Sequence, residues 1–183
     1  MLPRVYPIVD TASLERSGIR ALEFAEALLE GGATLLQFRH KAAFTRAVYA
    51  ELEAVARACA AAGAGLVVND RADLAALLNA GVHVGQDDLT PAQVQRIVGD
   101  RLVGYSTHNE IQFTSAEAEA AGYLAFGPVF STASKENPDP VVGVEMLARL
   151  RRLSAKPLVA IGGITRETAA AVWNAGADTI AVI

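Results

Sequence analysis

Eight short runs rich in β-branched and aromatic residues punctuate the chain: VYPIV, ATLLQF, GLVVN, GVHVG, RLVGYS, YLAFG, PLVAIG and DTIAVI. Between most of them lie stretches with apolar residues at helical spacing, such as ALEFAEALLEGG and AVYAELEAVARACAAAG. Strand then helix, repeated across short Gly- or Asp-containing joints, predicts parallel strands with helices packed outside. Right-handed crossovers leave two solutions, a doubly wound sheet or a closed barrel. Eight strands is the number that closes a (β/α)8 barrel, so the expected fold is α/β, a TIM barrel. The eighth run finishes at Ile183 and no helical pattern follows it. The expectation is a single barrel domain over residues 1–183, truncated after the eighth strand and lacking the eighth helix. The natural chain is expected to continue by one short loop and one helix.

The polar positions are not spread evenly over the two ends of this pattern. The stretch LLQFRHK starts apolar and then sets Gln37, Arg39 and Lys41 on alternate positions. Alternate residues of a strand share one face, so three polar heads point the same way. The same end of the other strands carries Asp10, Asn69 and Asp70, then Gln86, Asp87 and Asp88, then Ser106, Thr107 and His108. The sixth strand opens into a long polar segment, residues 127 to 142, which holds Thr132, Ser134 and Lys135. A loop of that length inside a compact repeat is usually functional. The opposite joints read GGAT, AAGAG, NAGV, AAGY and NAGAD, mostly Gly and Ala. That asymmetry points to a site at the C-terminal ends of the strands, where barrels of this kind keep their catalytic groups.

Composition narrows what the site binds. The chain has 183 residues, 52% of them hydrophobic, and a formal net charge of −4 with no long basic run. A nucleic-acid partner is not expected, and any anion must be held by local cations. The apolar runs are too short to span a bilayer and the N-terminus lacks signal-peptide regions, so a cytoplasmic protein is expected. One cysteine, Cys59, excludes an internal disulfide and reads as helix packing. Homo-oligomerisation is left open.

Asp70 and Asp88 end neighbouring strands, close enough for their carboxylates to share one hard cation. Mg2+ with two carboxylates, waters and phosphate oxygens fits. The competing reading is helix capping, which the sequence NDRADLAALL makes serious for Asp70. Arg39, Lys41 and Lys135 add positive charge around the same space. A metal plus three cations exceeds the need of a monophosphate, so a diphosphate is expected. Gly162 and Gly163, followed by Thr165 as a helix N-cap, suggest a second phosphate site at exposed backbone N–H groups. His83 reads as a hydrogen-bonded barrel residue rather than a catalyst. His108 lies on the active rim, where it can move a proton or hold the loop. Trp173 reads as core.

QFRHK, NDRAD, GVHVGQDD, GYSTHN, FGPVFSTASK and AIGGIT, in this order on a (β/α)8 pattern, resemble the thiamine-phosphate synthase family. The resemblance runs over essentially the whole chain. It implies a transferase that couples 4-amino-2-methyl-5-(diphosphomethyl)pyrimidine to a thiazole phosphate with Mg2+, giving thiamine phosphate and pyrophosphate. By similarity the stretch Gln37, Phe38, Arg39, His40 and Lys41 holds the pyrimidine diphosphate, with Gln37 on the ring and Arg39 and Lys41 on the diphosphate. Asn69 and Ser106 face the same substrate, and Asp70 and Asp88 bind Mg2+. Lys135 helps pyrophosphate depart, so Arg39, Lys41, Lys135 and Ser106 form the implied catalytic set. Thr132, Ser134, Gly163 and Ile183 belong to the implied thiazole-phosphate site, and Ala133 to the implied substrate-binding set. The implied mechanism is dissociative.

Three features depart from the family pattern. His40 stands where Glu is usual, on the strand face away from Gln37 and Arg39. Ser134 replaces Thr and keeps the hydroxyl. The small-residue phosphate loop and helix expected after the eighth strand are absent from the sequence. Two other readings compete: a thiazole tautomerase of the same superfamily, which needs no diphosphate site, and a non-catalytic barrel that binds a phosphate ligand. Keeping Asp70, Asp88, Arg39 and Lys135 together favours the synthase.

Overall fold

The computed structural model describes residues 2–132 and 139–183. Its strands are β1 (Val5–Asp10), β2 (Leu35–Arg39), β3 (Gly65–Asn69), β4 (Gly81–Val84), β5 (Val103–Thr107), β6 (Tyr123–Phe126), β7 (Leu158–Ile161) and β8 (Thr179–Val182). They are parallel and pair in chain order, and β8 pairs back onto β1 through Val5–Ile180, Tyr6–Ala181 and Pro7–Val182, which closes the barrel. The helices are α1 (Thr11–Ser17), α2 (Ala21–Glu30), α3 (Arg46–Ala61), α4 (Ala72–Leu77), α5 (Pro91–Val98), α6 (Glu110–Ala116), α7 (Gly143–Arg151) and α8 (Arg166–Asn174). The expected strands all form. The described residues carry eight helices rather than seven, because β1 is followed by two. The additional one is α1, started by the Asp10 side chain accepting from Ser13 N–H at 2.9 Å and stopped by Gly18 in the left-handed region.

Alternation along the strands builds two cores. Outward residues such as Val9, Leu36, Phe38, Val68 and Val82 pack under the helices on one side, and Leu124, Phe126 and Ala160 on the other. Inward residues form a separate interior cluster of Tyr6, Ile8, Leu35, Val67, Tyr123, Ala125, Val159 and Ala181. The barrel is therefore plugged below by side chains and opens towards the strand C-termini. Helix starts are set by short polar caps. Thr90 opens α5 by accepting from Gln93 N–H, while the Gln93 side chain accepts from Thr90 N–H at 2.9 Å, with Pro91 at the first position.

Cys59 is buried in α3, and burial pushes its thiol up to about 11, so it stays protonated and packs as a small apolar group. Trp173 is partly buried against the α7–α8 side of the core, with the Arg4 guanidinium 4.6 Å over its ring. No helix among the described residues is long and apolar enough to cross a membrane.

Candidate active site

The strand C-termini surround a cavity of about 240 Å3, several times the roughly 30 Å3 share of a water molecule. Gln37, Arg39, Lys41, Asn69, Asp70, Asp88 and Ser106 line it, together with Thr132, Gly163 and Ile183 from the far side. Residues from β2, β3, the β4–α5 joint, β5, the β6 loop, the β7 loop and the end of the chain thus reach one space.

Its charges are paired in an order the sequence does not display. Arg39 donates to the Asp10 carboxylate, and both side chains are largely buried. Burial works to raise the Asp10 carboxyl, yet the hydrogen bonds from Ser13 and the Arg39 guanidinium hold it below the ordinary carboxylate range. Lys41 Nζ lies 2.5 Å from Asp70 Oδ2. Burial raises the Asp70 carboxyl, Lys41 opposes that shift, and the Asp88 carboxylate beside it adds to it. Asp70 sits at φ +62°, a left-handed conformation uncommon outside glycine. That backbone turns its side chain away from α4, whose cap residue is Arg71, and so Asp70 does not cap the helix. Asp88 Oδ2 accepts from Gly85 N–H at 2.7 Å, which folds the β4–α5 joint back over the strand end.

The uncharged floor is equally ordered. Gln37 Nε2 donates to Tyr6 Oη at 3.0 Å, and Tyr6 Oη lies 3.3 Å from Tyr123 Oη. His83 contacts Tyr123 Oη through Nδ1 at 2.9 Å and Ser106 Oγ through Nε2 at 2.8 Å. Asn69 is buried, and its Nδ2 has no hydrogen-bond partner among the described residues. A buried amide donor beside an open cavity is placed to be satisfied by a ligand.

On the opposite wall, Gly162 and Gly163 have φ of +97° and +62°. A Cβ on Gly163 would stand 2.2 Å from Ser131 O, and one on Gly162 would stand 2.5 Å from Pro128 Cβ. Only glycine lets the β7 loop run this close to the β6 loop. Thr165 follows as the N-cap residue of α8, with its N–H donating to Thr168 Oγ1 at 2.8 Å.

With this geometry in view, comparison with known proteins is specific. The sequence profile of the thiamine monophosphate synthase family matches residues 5–183. The chain belongs to that family. The thiamine-phosphate synthase of Koribacter versatilis is 48% identical over 186 residues, covering 100% of this chain and 88% of the relative. That of Chloroflexus aurantiacus is 40% identical, covering 98% and 83%. The thiamine phosphate pyrophosphorylase structure from Pyrococcus furiosus superposes with a TM-score of 0.85 at 32% identity, covering 98% of this chain and 85% of that one.

For this member of the thiamine monophosphate synthase family, the structure restricts the site expected from sequence. The stretch from Gln37 to Lys41 does not enter the cavity as a unit. Phe38 points outward, is 1% exposed, and packs under the helices, because strand alternation sends it to the opposite face from Gln37. His40 is also turned aside: its Nδ1 lies 2.8 Å from Thr11 Oγ1 and its ring stands edge-on to Phe44. Ala133, Ser134 and Lys135 lie outside the described residues. His83 is the hydrogen-bonded barrel residue that was expected. His108 is tied to the β6 loop, through Nδ1 at 2.8 Å from Gly127 O and 3.5 Å from Asp139 Oδ2. Sequence reasoning missed Tyr6 and Tyr123, whose hydroxyls build the floor. The signal available was parity: Tyr6 shares its strand face with Ile8 and Asp10.

Proposed function

We propose that this chain couples 4-amino-2-methyl-5-(diphosphomethyl)pyrimidine to a thiazole phosphate, releasing pyrophosphate and thiamine phosphate. The observation that carries this reading is the convergence of two cavity walls. One holds Asp70, Asp88, Arg39 and Lys41, and the other is the Gly162–Gly163 loop, with the polar floor between them. Family membership gives the reaction class, and the two walls give room for two anionic substrates.

The donor set fits Mg2+. Asp70 and Asp88 are neighbouring hard carboxylates, and the Lys41 ammonium already stands as a cation against Asp70. Two carboxylates with waters and phosphate oxygens are a usual Mg2+ environment. Asp70 and Asp88 would hold the ion, which supplies charge neutralisation for the departing pyrophosphate. Arg39 and Lys41 add positive charge at the same wall, and by resemblance Lys135 adds more. In the reaction the methylene C–O bond breaks with its electron pair leaving on pyrophosphate. The thiazole nitrogen lone pair then forms the new C–N bond at that carbon. No side-chain base is required, and the protein's part is positioning and electrostatic stabilisation. Gln37, Asn69 and Ser106 orient the pyrimidine. Thr132, Gly163 and Ile183 face the thiazole phosphate.

The test is turnover of the two precursors with Mg2+, followed by product chromatography, for the wild type and for Lys135→Ala and His108→Ala. The expected result is thiamine phosphate formation that falls more with Lys135→Ala than with His108→Ala. Double-bond migration in the thiazole phosphate that vanishes with His108→Ala, with no coupled product, would assign a tautomerase instead.

A further inference from the structure

We infer that Gln37, Tyr6, Tyr123, His83 and Ser106 form one directional hydrogen-bond relay across the barrel, which makes Ser106 a donor to the ligand ring. This rests on the pyrimidine lying over the cavity floor, as proposed above, and adds two tyrosines and a histidine as positioning residues.

The direction follows from which atoms can donate. The Gln37 Nε2 amide can only donate, and it does so to Tyr6 Oη at 3.0 Å. Tyr6 is 1% exposed, so its own hydrogen needs a protein acceptor, and Tyr123 Oη lies 3.3 Å away. Tyr123 is fully buried and passes its hydrogen on to His83 Nδ1 at 2.9 Å. With Nδ1 accepting, a neutral imidazole carries its proton on Nε2 and donates to Ser106 Oγ at 2.8 Å. The Ser106 hydroxyl hydrogen is then left for the cavity. Burial raises both tyrosine hydroxyls well above their ordinary range, so neither ionises at neutral pH.

Reversing any one link strands a buried donor against a donor, so the chain reverses as a whole or not at all. In the inferred direction Gln37 turns its carbonyl oxygen away from Tyr6 and Ser106 offers a hydrogen. In the reverse direction Gln37 would offer N–H and Ser106 a lone pair. The two walls therefore present complementary character, which suits a heterocycle carrying one amino donor and one ring-nitrogen acceptor. It disfavours a ring with two donors or two acceptors at those places.

Two measurements test this. The chain holds three histidines, so 15N NMR of histidine-labelled protein can be assigned by single replacements. The wild type should show His83 protonated at Nε2, and Tyr6→Phe, which cuts the link to Gln37, should give a mixture of tautomers. His83 protonated at Nδ1 in the wild type, or no response to Tyr6→Phe, would overturn the relay. The second measurement is a double-mutant cycle on pyrimidine diphosphate binding. Ser106→Ala should weaken binding by roughly three- to tenfold in the wild type, the worth of one hydrogen bond, and by about twofold or less beside Tyr6→Phe. Additive losses would overturn the relay, because Tyr6 and Ser106 do not touch. Circular dichroism checks folding, and Tyr123→Phe cuts the same chain one link later with the same expectation. A wild type that binds no pyrimidine diphosphate would sink the proposed function, while the tautomer measurement would still decide the relay.

Discussion

Gly104 should be among the least replaceable residues of the barrel. It lies inward on β5, paired with His83 on β4 and Tyr123 on β6. The missing side chain is the space in which those two neighbours meet, with their rings stacked 5.6 Å apart at 19°. A Cβ at position 104 would stand 2.0 Å from Tyr123 Cζ, 2.3 Å from its hydroxyl and 2.5 Å from His83 Nδ1. Ordinary carbon contacts lie at about 3.5–4.0 Å, so the overlap exceeds 1 Å against two groups at once. Tyr123 is 0% and His83 8% exposed, which leaves neither an easy retreat. Overpacking costs about 1–3 kcal/mol, and separating a buried hydrogen-bonded pair adds about 1–3 more. Gly104→Ala should thus lose roughly 2–6 kcal/mol, a large part of the ~5–15 kcal/mol by which typical domains are stable. Urea denaturation followed by circular dichroism measures it, with Gly85→Ala as the control, since a Cβ there meets only Asp88 Oδ2 at 3.4 Å. Adding Tyr123→Leu should recover part of the loss, because it removes the ring that the new methyl strikes. A Gly104→Ala protein within about 0.5 kcal/mol of the wild type at unchanged m-value would refute the reasoning, since surface-like tolerance is not available to a filled site.

Three further outcomes are expected. Asp70→Asn and Asp88→Asn should each lower coupling by about 100-fold or more, the equivalent of several kcal/mol of charge stabilisation, and pyrophosphate should bind poorly until Mg2+ is added. Normal turnover of either variant in limiting Mg2+, or metal-independent pyrophosphate binding in calorimetry, would contradict the shared-ion site. Asp10 has its carboxyl lowered in the folded state, so its contribution is fully present above the unfolded value near 3.9 and is lost as pH falls through the folded one. Asp10→Asn should therefore destabilise the protein clearly at pH 7 and progressively less below about pH 4, as read by urea midpoints; a gap that widens in acid would reverse the sign. Gly163→Ala forces a side chain into φ +62° and to within 2.2 Å of Ser131 O, so it should raise KM for thiazole phosphate more than KM for the pyrimidine diphosphate. Equal effects on both would disconnect the β7 loop from the thiazole side.

The parts of this architecture that were legible in the sequence are those written by local period. Alternating strand and helix textures, and the Gln37–Arg39–Lys41 parity, need only neighbours along the chain, and β2 places Gln37 and Arg39 on the inner face. What stayed hidden depends on closure. Tyr6 and Tyr123 are 117 residues apart, and nothing short of the completed barrel brings their hydroxyls within 3.3 Å. Nothing beside Gly104 along the chain marks it, for the same reason: its neighbours on β4 and β6 decide its role. Asp70 stood open in the sequence between metal ligand and helix cap. NDRAD carries a good capping pattern, but a positive φ at Asp70 hands the cap position to Arg71 and frees the carboxylate for the cavity. Short helix α1 escaped because its evidence is one cap and one left-handed glycine on seven residues, with a single buried side chain, Leu14.

Charge shows most plainly why residue lists fall short of a site. Counted from sequence, Arg39 and Lys41 are two free cations awaiting an anion. In the folded chain each already has a carboxylate, Asp10 for one and Asp70 for the other. Among the described residues, with Asp88 beside Asp70, these two cations stand against three carboxylates, Asp10, Asp70 and Asp88. By themselves these groups do not attract a bare diphosphate, whose own charge would meet Asp70 and Asp88 at close range. The two pairs differ in what they can give up. Arg39 and Asp10 are both nearly buried and Asp10 also caps α1, so that pair is a fixed brace. Lys41 is half exposed, on a flexible stem, and can leave Asp70 for a phosphate oxygen at little cost. Such an exchange leaves Asp70 and Asp88 available together to a hard cation, whose charge lets these groups hold an anion. The arrangement therefore favours an anion that arrives with its counter-cation over one that arrives alone.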